Sequence, residues 1–174
     1  MHSLKGVVIQ NRQNALFNVY SETSSGASTA PRMLFESLDL SKAGVLQIND
    51  EGFSPFVNLR TLILSSSSLI ELYAEWFPEE NNILFLNAAH NDLESLRKQQ
   101  LRRLIKLRTL DLSFNNIGSV EATAFEELTD LGELQLSNNR LDEVIGLGGL
   151  TKLNSLDLSD NTISEVSWCR MIFS

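Results

Sequence analysis

Carboxylates are the residues of this chain best suited to chemistry. Asp39, Asp111 and Asp157 each sit in the tripeptide Leu-Asp-Leu. Two carboxylates can act as acid and base on a glycosidic bond when they lie roughly 5–9.5 Å apart. The three aspartates recur in step with a period that runs through the chain, which puts them in one column of stacked strands. At about 4.8 Å per strand, Asp39 and Asp111 are ~15 Å apart, and Asp111 and Asp157 ~10 Å apart. Glu133 falls diagonally between Asp111 and Asp157, ~7–8 Å from each. A bound cation would need a cage of about six to eight oxygens, and no such cage is visible. The aspartates therefore read as solvated carboxylates on a wet face.

The other reactive types are scarce. The chain has two histidines, His2 and His90, and one cysteine, Cys169. No second histidine lies near His90 in the pattern, so no metal site is expected. Nothing stands in place to activate Cys169 as a nucleophile. No catalytic residue, metal or cofactor is expected.

The elements that position these residues follow from the period. The frame L-x-x-L-x-L-x-x-N-x-L fits at Leu107, with Leu110, Leu112, Asn115 and Ile117. It recurs at Ile83, Leu59, Phe35 and Leu131 in steps of 24 residues, and at Leu153 after a step of 22. Six frames at so regular a step mark a solenoid, in which each repeat forms one coil and stacking buries a continuous core. Alternate residues of a strand point to opposite faces. Positions 4 and 6 then turn inward, and positions 3, 5 and 7 outward to a concave surface. Position 9 is Asn91, Asn115, Asn139 and Asn161 in the last four frames. Its amide both donates and accepts, so it suits backbone groups left unpaired where the chain turns. Ala43 and Ser67 hold that position in the first two frames, so those coils should be less regular.

The return half of each coil has its own apolar columns. Position 14 is Ile48, Leu72, Leu96, Val120, Val144 and Val166; position 19 is Phe53, Phe77, Leu101 and Phe125. Position 22 is Phe56, Leu104 and Leu128, broken by Glu80. A phenylalanine at position 19 of a 24-residue unit resembles the typical class of leucine-rich repeat. The resemblance covers about residues 35–168. It implies an α/β solenoid, a curved arc with a parallel sheet inside and irregular or helical turns outside. That class is common in extracellular recognition proteins such as Toll-like ectodomains and insect leucine-rich immune proteins. The resemblance therefore implies a secreted protein that recognises a protein or other ligand, with a part in innate immunity. The 22-residue unit at 131–152 looks more like the repeats of intracellular regulatory subunits, so a cytoplasmic scaffold is the alternative.

Residues 35–174 are assigned to the repeat domain and 1–34 to an N-terminal segment. Residues 6–10 and 16–20 flank a turn-rich connector and read as a β-hairpin cap; 21–32 read as a flexible loop. The start is not a signal peptide, no apolar run reaches the roughly 18 residues of a membrane span, and no N-x-S/T sequon occurs. These features fit the cytosol, or a secreted protein whose sequence is a fragment. The end, with Trp168, Ile172 and Phe173, is apolar. It reads as a truncated chain, with self-association through an uncapped core as the functional alternative. A net charge of −8 and a pI near 4.7 argue against a general nucleic-acid binder.

Two candidate binding surfaces remain. The outward columns are mostly polar, but Ile63, Phe85 and Phe114 are not, and His90 lies among them. Apolar anchors within a polar rim are how interfaces concentrate their energy, so a protein partner is expected here; the other reading is that Phe85 and Phe114 simply cover the strand edges. The alternative is a basic run, Arg97, Lys98, Arg102, Arg103, Lys106 and Arg108, which holds six of the 14 basic residues. Leu101 and Leu104 keep its inward positions, so the run reads as a solvated convex face or a docking patch for an acidic partner.

Overall fold

The computed structural model describes the backbone of residues 8–10 and 16–18, together with residues 34–43, 45, 48–143 and 146–164. The loop at 21–32, the apolar end at Trp168, Ile172 and Phe173, and Val144, Val166, Cys169 and His2 lie outside the described residues.

Strands β1 (Val8–Gln10) and β2 (Leu16–Asn18) pair antiparallel, Ile9 opposite Phe17. Each frame then contributes one three-residue strand, at positions 3 to 5. These are β3 (Ser37–Asp39), β4 (Thr61–Ile63), β5 (Phe85–Asn87), β7 (Thr109–Asp111), β9 (Glu133–Gln135) and β10 (Ser155–Asp157). They form a parallel sheet in the order β3-β4-β5-β7-β9-β10. Register follows the frame: Leu38, Leu62, Leu86, Leu110, Leu134 and Leu156 pair in sequence. A slip by one residue would turn each leucine out of the core.

The return side holds little regular structure. Strands β6 (Ser95–Leu96) and β8 (Ser119–Val120) form a small parallel pair. Helix α1 (Lys98–Leu101) is one turn long, and a 3₁₀ turn covers Ala74–Trp76. The 24-residue coil leaves little length for helix once the strand and its turn are made. Apolar columns fill the interior instead. Phe53 and Phe77 stack with ring centroids 5.3 Å apart, and Phe125 continues the buried set. Glu80, which breaks the position 22 column, is exposed beside a cleft of about 110 Å³ floored by Phe53, Phe56, Leu59 and Ile83. In the 22-residue coil, Gly146 adopts φ +78°, and a Cβ there would lie 2.8 Å from the Ala122 carbonyl oxygen. A glycine is needed where the shortened coil lies so close to its neighbour.

Candidate functional site

The ladder asparagines Asn91, Asn115 and Asn139 are buried, and Asn161 is half-buried. The Asn115 Nδ2 group donates to the Ala88, Leu112 and Ser113 carbonyls at 3.1, 3.0 and 3.2 Å. Its Oδ1 accepts from the Leu93 N–H at 3.1 Å. Asn91, Asn139 and Asn161 repeat this pattern, each reaching one coil back for a carbonyl and an N–H. In the second frame the Ser67 hydroxyl is buried with no hydrogen-bond partner among the described residues.

The aspartates of Leu-Asp-Leu are not free carboxylates, which corrects the reading of them as merely solvated. The Asp111 Oδ1 accepts from the Ser113 N–H at 3.0 Å and from its hydroxyl at 2.6 Å. Asp157 does the same with Ser159, and Asp39 accepts from the Ser41 N–H at 2.8 Å. Asn87 fills the same place by accepting from the Ala89 N–H at 2.9 Å. The side chain caps the strand end by bonding the backbone two residues on. The Ser159 hydroxyl, with its N–H, holds the Asp157 carboxyl below its ordinary pKa, and the Ser41 N–H does so for Asp39. The spacing Asp-x-Ser carries this signal in the sequence. In coils three to five the position 7 residues Ala89, Ser113 and Ser137 are buried, whereas Ser41 and Ser65 are half-buried and Ser159 is exposed.

A second correction concerns position 8. The strand ends at position 5, and Lys42, Ser66, His90, Phe114, Asn138 and Asp160 all adopt φ between 54° and 57°. These side chains leave from a left-handed turn at the rim of the sheet, beyond its strands. His90 and Phe114 meet there, ring centroids 4.3 Å apart and planes 11° from parallel. Phe114 keeps 47% of its surface exposed. Ile63 and Phe85 are half-buried on neighbouring strands. They lie diagonally, since Ile63 pairs with Asn87 and Phe85 with Thr61. The four candidate anchors thus form two pairs, one on the strands and one on the rim.

The basic run meets acids from neighbouring coils. Arg97 pairs with Glu71 at 3.3 Å, Arg102 with Glu75 at 2.7 Å and Arg103 with Glu79 at 2.7 Å. Lys98 reaches forward to Glu126 at 2.7 Å. The Lys106 ammonium donates to the Asn82 Oδ1 at 2.9 Å. Arg102 holds the Glu75 carboxyl below its ordinary pKa, and Glu126 raises that of Lys98. These acids lie 24 to 28 residues from their bases, so they show only when one period is laid over the next. Arg108 is exposed beside Asp130, which is itself ion-paired with Lys152.

Among the described residues, no group of three or more His, Cys, Asp or Glu could hold a metal ion. Among them, too, no helix is long and apolar enough to cross a membrane.

Two overlapping segments, residues 83–141 and 105–163, match the leucine rich repeat family. Leucine-rich repeats and immunoglobulin-like domains protein 1 of Homo sapiens is 32% identical over 133 residues, 75% of this chain and 12% of its own length. Podocan of Mus musculus is 33% identical over 146 residues, 79% of this chain and 23% of its own length. Toll-like receptor 2 type-1 of Gallus gallus is 35% identical over 86 residues, 48% of this chain and 11% of its own length. The chain therefore spans less than a quarter of each of these relatives. With six in-register strands, an asparagine column that joins successive coils, and these matches, the chain belongs to the leucine-rich repeat proteins.

Proposed function

We propose that this chain is a non-catalytic recognition module that holds a protein partner on the concave face of its sheet, with Ile63, Phe85, His90 and Phe114 as anchors. The observation that carries this reading is the exposed stack of His90 on Phe114 at the sheet rim. An exposed apolar ring fixed in orientation loses little freedom on binding, which favours it as an anchor. The basic run supports the reading by contrast, because Arg97, Lys98, Arg102 and Arg103 already have partners within the fold. The setting proposed is extracellular, in receptor-type or innate immune recognition, after relatives such as Toll-like receptor 2 type-1. The 22-residue coil favours a second reading, an intracellular scaffold or regulatory subunit that would use the same face.

The test compares Phe85→Ala with Phe114→Ala against Arg102→Glu with Arg103→Glu, using a partner that co-purifies. The double Phe variant should weaken binding about thirtyfold, the order of one anchor's contribution, with folding little changed. Loss of binding in the charge reversal, with normal binding in the double Phe variant, overturns the concave-face reading.

A further inference from the structure

The concave face divides into two halves with different chemistry. At positions 3, 5, 7 and 8, coils one to three carry Asp39, Lys42 and His90 beside the apolar Ile63 and Phe85. The same positions of coils four to six carry Asp111, Glu133, Asp157 and Asp160, with no basic residue. Among the described residues, none of these four acids is in an ion pair, whereas Glu71, Glu75, Glu79, Glu126 and Asp130 on the other side are paired. Arg97, Lys98, Arg102, Arg103 and Lys152 are thus engaged in ion pairs on the other side, and these positions of coils four to six carry carboxylates with no cation among them.

We infer that the partner presents an extended cationic segment, which sets an apolar side chain against coils two to four and places lysine or arginine over coils four to six. The inference rests on the concave-face reading above and adds the partner's chemistry and polarity. Two rows of the surface carry the same step. In the strand row, Phe85 and Glu133 are separated by one strand, with Thr109 in register between them. In the rim row, Phe114 and Asp160 are likewise two coils apart, with Asn138 between them. At about 4.8 Å per strand each step is ~10 Å, and Asp157 lies one strand further on, ~15 Å from Phe85. An extended chain advances about 3.3 Å per residue. A segment lying across the strands would therefore carry its basic side chains about three to five residues beyond the apolar one. Desolvating an anchor next to uncompensated carboxylates favours a partner that brings the opposite charge, and it discriminates against acidic segments.

The experiment uses three synthetic 12-residue peptides labelled with fluorescein. The first carries Phe with two Arg four and five residues later. In the second, Glu replaces both Arg; in the third, Ser replaces Phe. Anisotropy is measured against the wild-type chain, against Phe85→Ala with Phe114→Ala, and against Glu133→Gln with Asp157→Asn and Asp160→Asn. The last set keeps the turns, since Asn87 makes the same strand-end bond as Asp157 and Asn138 already occupies the left-handed position of Asp160. The expected result is binding of the first peptide alone. That binding should weaken about tenfold between 50 and 500 mM salt and about tenfold in the acid-to-amide variant. Failure of the first peptide to bind, or equal binding of the second, overturns the inference. So does binding of the third as tight as the first, which would mark a general acidic surface. If the Phe variant weakens binding and the amide variant does not, the cationic inference falls while the concave-face reading stands. If the amide variant weakens binding and the Phe variant does not, the anchors proposed for the concave face are wrong.

Discussion

In coils three to six, an asparagine reaches back into the preceding coil, buried in coils three to five and half-buried in coil six; in coils one and two, Ala43 and Ser67 stand in its place. The difference shows in the backbone beside it. The N–H groups of Asp92, Asn116, Arg140 and Thr162 each meet a carbonyl of the coil before at 2.9 Å, while the equivalent Ser68 N–H lies 3.5 Å from the Val45 carbonyl. The core thins at both ends: Leu62, Leu86, Leu110 and Leu134 are fully buried, whereas in the same column Leu38 is half-buried in coil one and Leu156 is exposed in coil six. In a solenoid, stability is close to a sum of repeat and neighbour terms. One side chain per coil that satisfies both a donor and an acceptor of its neighbour therefore grades stability along the whole molecule.

The largest test of this comparison is Asn115→Ala. It removes three donor contacts and one acceptor contact at once, and the freed backbone groups are buried. Chemical denaturation should show a loss of about 1–3 kcal/mol, and an unchanged unfolding curve would mean the ladder does not hold the coils. Next in size is local opening. Hydrogen exchange should be faster across 35–70 than across 107–160; uniform protection through all coils would remove the contrast. The converse change is Ser67→Asn, which places an amide beside the Leu40 carbonyl and the Val45 N–H. A gain of about 0.5–1.5 kcal/mol is expected, with slower exchange in coil one. A loss would show that coil one is not spaced to accept the ladder.

The smallest effect is acidic. Asp39, Glu75, Asp130 and Asp157 all have lowered pKa values in the fold: Asp39 from the Ser41 N–H, Glu75 from Arg102, Asp130 from Lys152 and Asp157 from Ser159. A depressed folded pKa contributes stability that is present above the ordinary values of 3.8 for Asp and 4.5 for Glu. That contribution is lost as pH falls through the lower folded values. Melting temperature should therefore drop as the pH is lowered below about 4. The drop should be smaller in Asp157→Asn, whose amide keeps the strand-end bond without titrating. An identical acid profile for that variant would show that the Asp157 bond contributes nothing.

Much of this molecule was legible from spacing. The leucine frame placed the six strands, and the Asn column named the residues that now join the coils, because a solenoid repeats one solution and writes it into the sequence at one period. The same logic could have found the strand-end caps, since Asp39, Asp111 and Asp157 each precede a serine by two residues. The sequence reading weighed those carboxylates as a column across coils and passed over the bond each makes within its own coil. The anchors were named by residue type, but their division into a strand pair and a rim pair was not legible. The sequence reading counted His90 and Phe114 among the outward columns, and nothing in the repeat marks position 8 as lying past the end of the strand.

Stacking decided the rest. The basic run read as a solvated convex face or a docking patch because its acids lie a whole period away, and only superposed coils bring Glu71 to Arg97 and Glu75 to Arg102. Position 8 is plainer still. Lysine, serine, histidine, phenylalanine, asparagine and aspartate share no preference that would announce a left-handed turn, which costs a non-glycine residue about 1–2 kcal/mol. All but the aspartate, Asp160, are held there by a bond to the next coil. The N–H groups of Lys42, Ser66, His90, Phe114 and Asn138 bond the position 7 carbonyl of the following coil at 2.9–3.1 Å. In these five coils the neighbouring coil supports the conformation, and Asp160 in coil six adopts it as well, so side chains of several types are displayed along the rim.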